Sequence, residues 1–138
     1  IVFDAEEEQA IQRSLADFFS TPRLKDRSLS EEQSEVLQTT ATLIALEELA
    51  RRRIDQGRFS EAASTCIKHI GVGGINPIPW LLLARAHAEN GDYARASAII
   101  DRGQRDMRKH GWNLEAPVFA REIEQIRLLI QVGGSHRR

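Results

Sequence analysis

Apolar residues recur at spacings of three and four along most of the chain, the pattern of helices with one buried side. In residues 4–19 this stripe consists of Ala10, Ile11, Leu15, Phe18 and Phe19. No segment shows the alternating, β-branched pattern of a strand. The sequence therefore predicts an all-α fold of about six helices. Their expected ranges are 4–19, 31 to about 56, 59–70, 78–90, 93–110 and 116–132.

Residues typical of helix ends separate these segments. Pro22 disfavours helix at the residue before it, and the polar segment 20–29 is expected to be a loop. Ser30 followed by Gln33 is the pattern of a capping box, in which each side chain hydrogen-bonds the backbone N–H of the other residue. Gly57 supplies a stop for the long second helix. The segment 71–77 is expected to break the third helix, and residues 133–138 to form a flexible tail.

Each later helix also has a predicted inner stripe. The inward residues are expected to be Val36, Leu43, Leu46, Leu49 and Ala50 in the second helix; Ala62, Ala63, Cys66, Ile67 and Ile70 in the third; Ala96, Ile99, Ile100, Gly103 and Met107 in the fifth; and Val118, Phe119, Ile123, Ile126, Leu129 and Ile130 in the last.

One pattern repeats at a fixed interval of 34 residues. A bulky residue, a Leu and an Ala are followed by a Gly, an aromatic residue and a second Ala. The six positions are Leu46, Leu49, Ala50, Gly57, Phe59 and Ala62 in the first copy, and Trp80, Leu83, Ala84, Gly91, Tyr93 and Ala96 in the second. Bulky residues brace two antiparallel helices, small residues let them approach, and the Gly with its aromatic neighbour makes a tight turn. The repeat, over about residues 43–110, predicts two consecutive helical hairpins.

The second copy, residues 80–96, resembles the tetratricopeptide repeat, and the first copy differs in having Leu46 where that family has Trp. The resemblance implies helical hairpins stacked into a right-handed superhelix. The long basic helix ending at Gly111, the acidic and Pro-containing segment and the closing helix resemble the bacterial transcriptional activator domain. That resemblance implies a role in dimerisation, signal response or contact with the transcription machinery. The first 45 residues do not match that family, and no basic recognition helix is present.

In a stacked hairpin array, the first helix of each pair lines the concave surface on which a peptide usually lies. We expect partner-binding residues at Glu47, Arg51 and Asp55 in the first repeat and at Leu81, Arg85 and Glu89 in the second, with Ile54 and Ala88 beside them. Two alternatives remain open: the N-terminal helix fills this surface, or it is a plain solvated face.

The chain has 138 residues and a net charge of −1, which disfavours direct binding to nucleic acid. The charge is uneven, since residues 1–56 carry −5 and residues 57–112 carry +3. A homodimer in which the acidic end of one copy meets the basic face of another is therefore one alternative. Plain solvation is the other, with Asp101 and Arg105 placed for an i,i+4 pair. The basic clusters are Arg51, Arg52 and Arg53, and Arg102, Arg105, Arg108 and Lys109.

Candidate chemistry is sparse. Cys66 and His69 lack further ligands at metal-binding spacing, so no metal or cofactor is expected, and Cys66 is predicted to pack as a small apolar residue. Residues 71–74 follow a helix and lack the Lys of a phosphate-binding loop, which makes them a linker. No nucleophile elbow or paired carboxylate indicates an enzyme. A single cysteine and the absence of a long apolar run predict a cytoplasmic protein without membrane contact.

These observations favour a protein-interaction module occupying residues 1–132 as one domain. The resemblance implies the effector or oligomerisation domain of a bacterial transcription regulator. A free-standing adaptor or chaperone that binds a peptide from a secretion or assembly system is the alternative. A third reading is a sensor with a small-molecule pocket between the N-terminal helix and the repeats.

Overall fold

The protein is described by a computed structural model covering residues 1–21, 28–73, 76–113 and 116–136. Within these ranges it is all-helical, with six helices and no strand. The helices are α1 (Ala5–Phe19), α2 (Glu31–Asp55), α3 (Phe59–Gly73), α4 (Ile78–Glu89), α5 (Tyr93–Lys109) and α6 (Pro117–His136). The all-α prediction is confirmed, and most helix ends agree with the sequence to within a few residues.

Local chemistry explains the helix starts. At α1, Asp4 Oδ1 accepts the Glu7 N–H and Glu7 Oε1 accepts the Asp4 N–H, both at 2.8 Å. At α2, Ser30 and Gln33 form the predicted capping box, with distances of 3.1 and 3.2 Å. Each box satisfies two backbone donors that have no partner inside the helix.

Two helices extend further than the sequence predicts. Helix α3 continues through Gly71 to Gly73, beyond its predicted end at residue 70. Residues 74–75 of the predicted break are outside the described residues. Helix α6 includes residues 133–136, where a tail was expected, and that boundary is wrong. Helical hydrogen bonds here outweigh the low helix propensity of the glycines. Most of the predicted loop, residues 22–27, and residues 137–138 of the tail also fall outside the described residues.

The core consists of three clusters shared by successive helices. Ile11, Ala45 and Leu46 join α1 to α2; a second cluster, including Ala62, Cys66 and Leu82, joins α2, α3 and α4. A third lies between α4, α5 and α6 and contains Leu81, Ala84, Ala88, Ala96, Ile100, Ile123 and Ile126. Helix α4 belongs to the second and third clusters and contacts α2, α3, α5 and α6. It is therefore apolar on most of its surface, as expected for a helix enclosed by others.

Most predicted inward residues are buried or partly buried, but Val36 and Ile67 are 64% and 59% exposed. Val36 lies in the first half of α2, where most of the side chains are exposed. Ile67 lies on the exposed side of α3. Leu129 is partly exposed, at 37%, and the side chain of Val118 lies outside the described set.

The turns after α2 and α4 have the same backbone geometry. Gly57 and Gly91 both have positive φ, 76° and 85°, a conformation that favours glycine. The hydrogen bonds around them recur at the 34-residue interval: Gly57 N–H donates to Ile54 O, and Gly91 N–H donates to Ala88 O. Three further pairs of backbone hydrogen bonds, each from an N–H to a carbonyl oxygen, correspond in the same way. They are Gln56 to Arg52 with Asn90 to Ala86, Arg58 to Arg53 with Asp92 to His87, and Ala62 to Arg58 with Ala96 to Asp92.

Leu46 and Trp80, the bulky positions of the repeat, have partly corresponding surroundings. Leu46 is fully buried, and its cluster contains Ile11 of α1 and packs against Val72 of α3. Trp80 is half-buried and packs against Gly103 of α5. Both residues thus lie beside the later part of the helix that follows, but α1 covers only Leu46.

Candidate partner-binding groove

A groove of about 340 Å³ lies between α2, α4 and α6. Its floor is apolar and its rim carries charges of both signs. It is lined by Arg51, Leu81, Leu82, Arg85, Glu89, Glu122, Gln125, Ile126 and Leu129. Such a surface offers apolar contact to a partner segment and charged groups that orient it.

The structure brings together most of the residues predicted for partner binding. Arg51, Leu81, Arg85 and Glu89 line the groove. Asp55 is an ion-pair partner of Arg85, with its Oδ1 4.0 Å from Arg85 Nη2. Glu47 is not a lining residue, although it is one turn before Arg51. Two flanking residues do not face the groove: Ile54 and Ala88 are 2% and 1% exposed and belong to the core, so their predicted position is wrong. Their side chains pack between helices, Ile54 in the cluster of α2, α3 and α4 and Ala88 in the cluster of α4, α5 and α6.

The two groove arginines differ in their partners. Arg85 is half-exposed and pairs with Glu89 at 3.2 Å within α4. Arg51 is half-buried, and within the described ranges it has no ion pair or side-chain hydrogen bond. An exposed ion pair contributes little free energy and is readily exchanged. Arg51 is therefore the cation most available to a bound carboxylate.

Sequence reasoning missed the wall contributed by α6. Glu122, Gln125, Ile126 and Leu129 lie on it, and only the last two were singled out, as core residues. Ile126 is indeed buried, whereas Leu129 is the partly exposed residue. The apolar stripe of α6 could be recognised in the sequence. Which surface that stripe contacts depends on where α6 packs against α4.

The three consecutive arginines of α2 point to three different environments. Arg51 lines the groove, and Arg52 lines a second cavity, of about 370 Å³, between α1 and α2. Arg53 is only 1% exposed and is surrounded by Asp4, the N-cap of α1, and by Glu6 and Glu7 of α1. The prediction of one basic surface cluster is wrong, because successive helical residues are about 100° apart. The second cavity lies where a sensor pocket was considered.

The basic side of α5 also differs from the expectation. Asp101 pairs with Arg127 of α6 at 3.2 Å, and no pair with Arg105 is present among the described residues. Arg102 lies over the ring of Trp80, 5.9 Å from its centroid, in a cation–π contact. Arg105, Arg108 and Lys109 are exposed. Asp101 therefore ties α5 to α6 instead of neutralising its own helix.

Cys66 and His69 are both in the interior. The thiol is 1% exposed within the cluster of α2, α3 and α4, as predicted, and burial raises its pKa to about 12. Burial lowers the pKa of His69 despite the nearby charge of Glu47. In the part of the chain that the structure describes, no group of three or more His, Cys, Asp or Glu side chains is arranged so that it could hold a metal ion.

No family model, curated protein or solved structure matches the chain. The resemblance to the tetratricopeptide repeat and to the bacterial transcriptional activator domain stays a prediction. Across the described ranges, no helix has the length and apolar character required to cross a bilayer.

Proposed function

We propose that this protein is a non-catalytic interaction module whose groove between α2, α4 and α6 binds a segment of a protein partner. The observation that carries the proposal is the meeting of Arg51, Leu81, Arg85 and Glu89 in one groove with an apolar floor. Arg51 and Arg85 are separated by one 34-residue interval in the sequence, and α6 adds the third wall. Apolar area would supply affinity, and the charges would select orientation.

The proposal includes a tetratricopeptide-like, right-handed stack of helical hairpins. Its support is the repetition of four turn hydrogen bonds at the interval of the sequence repeat, together with contact between α2 and α4 and between α4 and α6. Alternate helices in contact are expected where hairpins stack side by side. We further propose, on the resemblance to the bacterial transcriptional activator domain alone, that the domain belongs to a bacterial transcription regulator acting in the cytoplasm.

Within that role, the groove receives either a peptide of another protein or part of a second copy. The free-standing adaptor or chaperone alternative uses the same groove and differs only in the partner. Light scattering over a range of protein concentrations distinguishes a groove that binds a second copy from one that binds a peptide of another protein. A dimer that dissociates in the Arg51→Glu variant places a second copy in the groove, whereas a protein that stays monomeric at all concentrations excludes a second copy.

The test begins with peptides selected from a random library displayed against the whole chain. We expect the selected peptides to compete for one site and to carry at least one carboxylate beside apolar residues. Arg51→Glu is expected to weaken their binding at least about tenfold, equivalent to about 1.4 kcal/mol. Arg85→Glu should also weaken it, although this substitution additionally removes the pairs with Asp55 and Glu89.

Arg95→Glu is the matched control, since Arg95 is exposed on α5 and is not a lining residue of the groove. Thermal unfolding of each variant checks that folding is intact. Failure to select any peptide, or equal affinity for the Arg51 and Arg95 variants, would contradict the proposal.

A further inference from the structure

The beginning of α1 is held by a cluster that we call the basic socket. It is formed by three cationic side chains, Arg53 of α2, Arg58 just before α3 and Lys68 of α3, together with the hydroxyl of Thr65 of α3. Arg53 Nη2 donates to Asp4 Oδ2 and to Glu6 Oε1, both at 2.9 Å. Arg58 donates to Glu6 Oε1 at 2.7 Å. The contacts join residues about fifty positions apart and attach α1 to two other helices.

Glu7 enters deepest into the basic socket. Its side chain is fully buried, with Oε1 2.6 Å from Lys68 Nζ and Oε2 accepting the Thr65 hydroxyl at 2.7 Å. Arg53 Nη1 donates to Thr65 Oγ1, also at 2.7 Å, and lies 3.6 Å from Glu7. A buried carboxylate requires this degree of neutralisation and hydrogen bonding.

The groups that bind the basic socket are also those that begin the helix. Asp4 Oδ1 accepts both the Glu7 N–H and Arg53 Nη2, at 2.8 and 3.1 Å. Glu7 Oε1 accepts both the Asp4 N–H and the Lys68 ammonium. The basic socket thus contacts a helix start with Asp at the N-cap and Glu at the second and third positions. An extended acidic segment would not place its carboxylates in this arrangement.

The charge of the basic socket requires an acidic occupant. Without residues 4–7, the side chains in contact here would leave three cations, Arg53, Arg58 and Lys68, beside the carboxylate of Glu61 that pairs with Arg58, a net charge of +2. Arg53 is 1% exposed with α1 in place. If α1 moved away, its guanidinium would lose the carboxylates of Asp4 and Glu6 that neutralise it. Electrostatic complementarity of this kind selects partners more strongly than it adds affinity.

Compared with these polar contacts, the apolar attachment of α1 to the rest of the protein is small. Ile11, at 8% exposure, is the one buried apolar residue of α1, with Ala10 and Leu15 partly buried beside it, and Glu7 is the other buried residue. A cavity of about 370 Å³ lies beside Asp17 and Phe18 in the later half of α1, where Ser14 Oγ donates to Ala41 O of α2 at 2.8 Å. An element with little buried apolar area opens at lower free energy than the rest of a fold.

We propose that the basic socket is a binding site for a helix that starts with this acidic capping box, and that α1 is its exchangeable resident occupant. The partner is a protein helix whose first turn carries Asp at the N-cap and Glu at the second and third positions. It would displace α1 and receive the same contacts from Arg53, Arg58, Thr65 and Lys68. The site is separate from the groove, and this inference does not depend on the proposed function.

The experiment uses the whole chain with a protease recognition sequence placed within residues 22–27, so that α1 is cut from α2 while all residues remain present. The probe is a fluorescent peptide of residues 1–21, followed by anisotropy. We expect the peptide to exchange with resident α1, and the Glu7→Gln peptide to bind at least about tenfold more weakly. The Glu8→Gln peptide is the control, because Glu8 is exposed and makes no ion pair within the described ranges.

A probe that does not exchange, or equal binding of the Glu7 and Glu8 variant peptides, overturns the proposal. If the cut chain unfolds, hydrogen exchange of the intact chain decides instead. We expect α1 amides to exchange through an opening of lower free energy than that of α3 and α4. Lys68→Met should accelerate this opening, and Lys109→Met on α5 should leave it unchanged. Exchange of α1 only through global unfolding overturns the proposal.

Discussion

Trp80 of α4 packs directly against Gly103 of α5. A Cβ placed at Gly103 would lie 3.0 Å from the Cβ of Trp80 and 3.2 Å from its Cγ. These atoms belong to the base of the Trp side chain, which moves only with the backbone of α4. The small residue therefore determines how closely α4 and α5 approach.

Gly103→Ala is expected to destabilise the protein in spite of a gain in helix propensity. The gain is about 1 kcal/mol, whereas overpacking at a helix contact costs about 1–3 kcal/mol. Gly103→Val should cost more. Urea unfolding measures both changes. In a Trp80→Ala background Gly103→Ala should cost less, because alanine removes the Cγ and ring atoms of Trp80 but keeps the Cβ that lies 3.0 Å away. Additive effects of the two substitutions would contradict the direct contact.

Replacement of Gly57 or Gly91 by Ala is expected to cost about 1–2 kcal/mol in each case, because L-residues with a side chain are disfavoured at positive φ. The two costs should agree closely, since the hydrogen bonds of the two turns correspond one to one. Chemical denaturation measures them. Asn at either position is the control and should cost less, as it tolerates this conformation. A large cost at one turn and none at the other would show that the turns are not energetically equivalent.

The contacts of Glu6 predict a loss of stability in acid. Hydrogen bonds from Arg58 and Arg53 lower the pKa of Glu6 to about 2, from an ordinary value of 4.5. The unfolded chain therefore binds this proton first as the pH falls. The stabilisation is complete above about pH 5 and is lost as the pH falls from there to about 2.

Glu6→Gln tests this dependence. The variant should lose about 1 kcal/mol at neutral pH, a small value because Glu6 is 36% exposed and its ion pairs are screened. Its free energy of unfolding should fall less steeply than that of the wild type below pH 5. Some slope should remain, because the pKa of Asp4 is also lowered: hydrogen bonds from the Glu7 N–H and Arg53 outweigh the effect of burial. Glu8→Gln serves as control, and an identical slope for both variants would be inconsistent with the ion pairs of Glu6.

Cys66 is expected to be unreactive in the native protein. Its thiol is 1% exposed, and burial raises its pKa to about 12, so very little thiolate exists at pH 8. Alkylation by iodoacetamide should be slow and should accelerate with urea in parallel with global unfolding. The fully denatured chain provides the reference rate. Native alkylation at a similar rate would show that Cys66 is accessible.

Much of the helical framework could be predicted because its causes are local. The capping box of Ser30 and Gln33 involves residues within one turn, and Gly57 and Gly91 satisfy the backbone conformation of their own turns. The ends of α3 and α6 were predicted less well, because glycines in a helix are tolerated when the helical hydrogen bonds continue. The groove residues of α2 and α4 were predictable from their shared interval.

The amino-acid sequence by itself determined the helical class, most helix boundaries and the repeated turn, since spacing, capping and backbone conformation act over a few residues. Only the tertiary structure decided which charges meet. Arg53 looked like part of a basic surface, yet it is buried against Asp4 and Glu6, and Asp101 pairs with Arg127 instead of Arg105. Such partners are 26 to 49 residues apart, and their contacts depend on how whole helices pack, which no local pattern specifies.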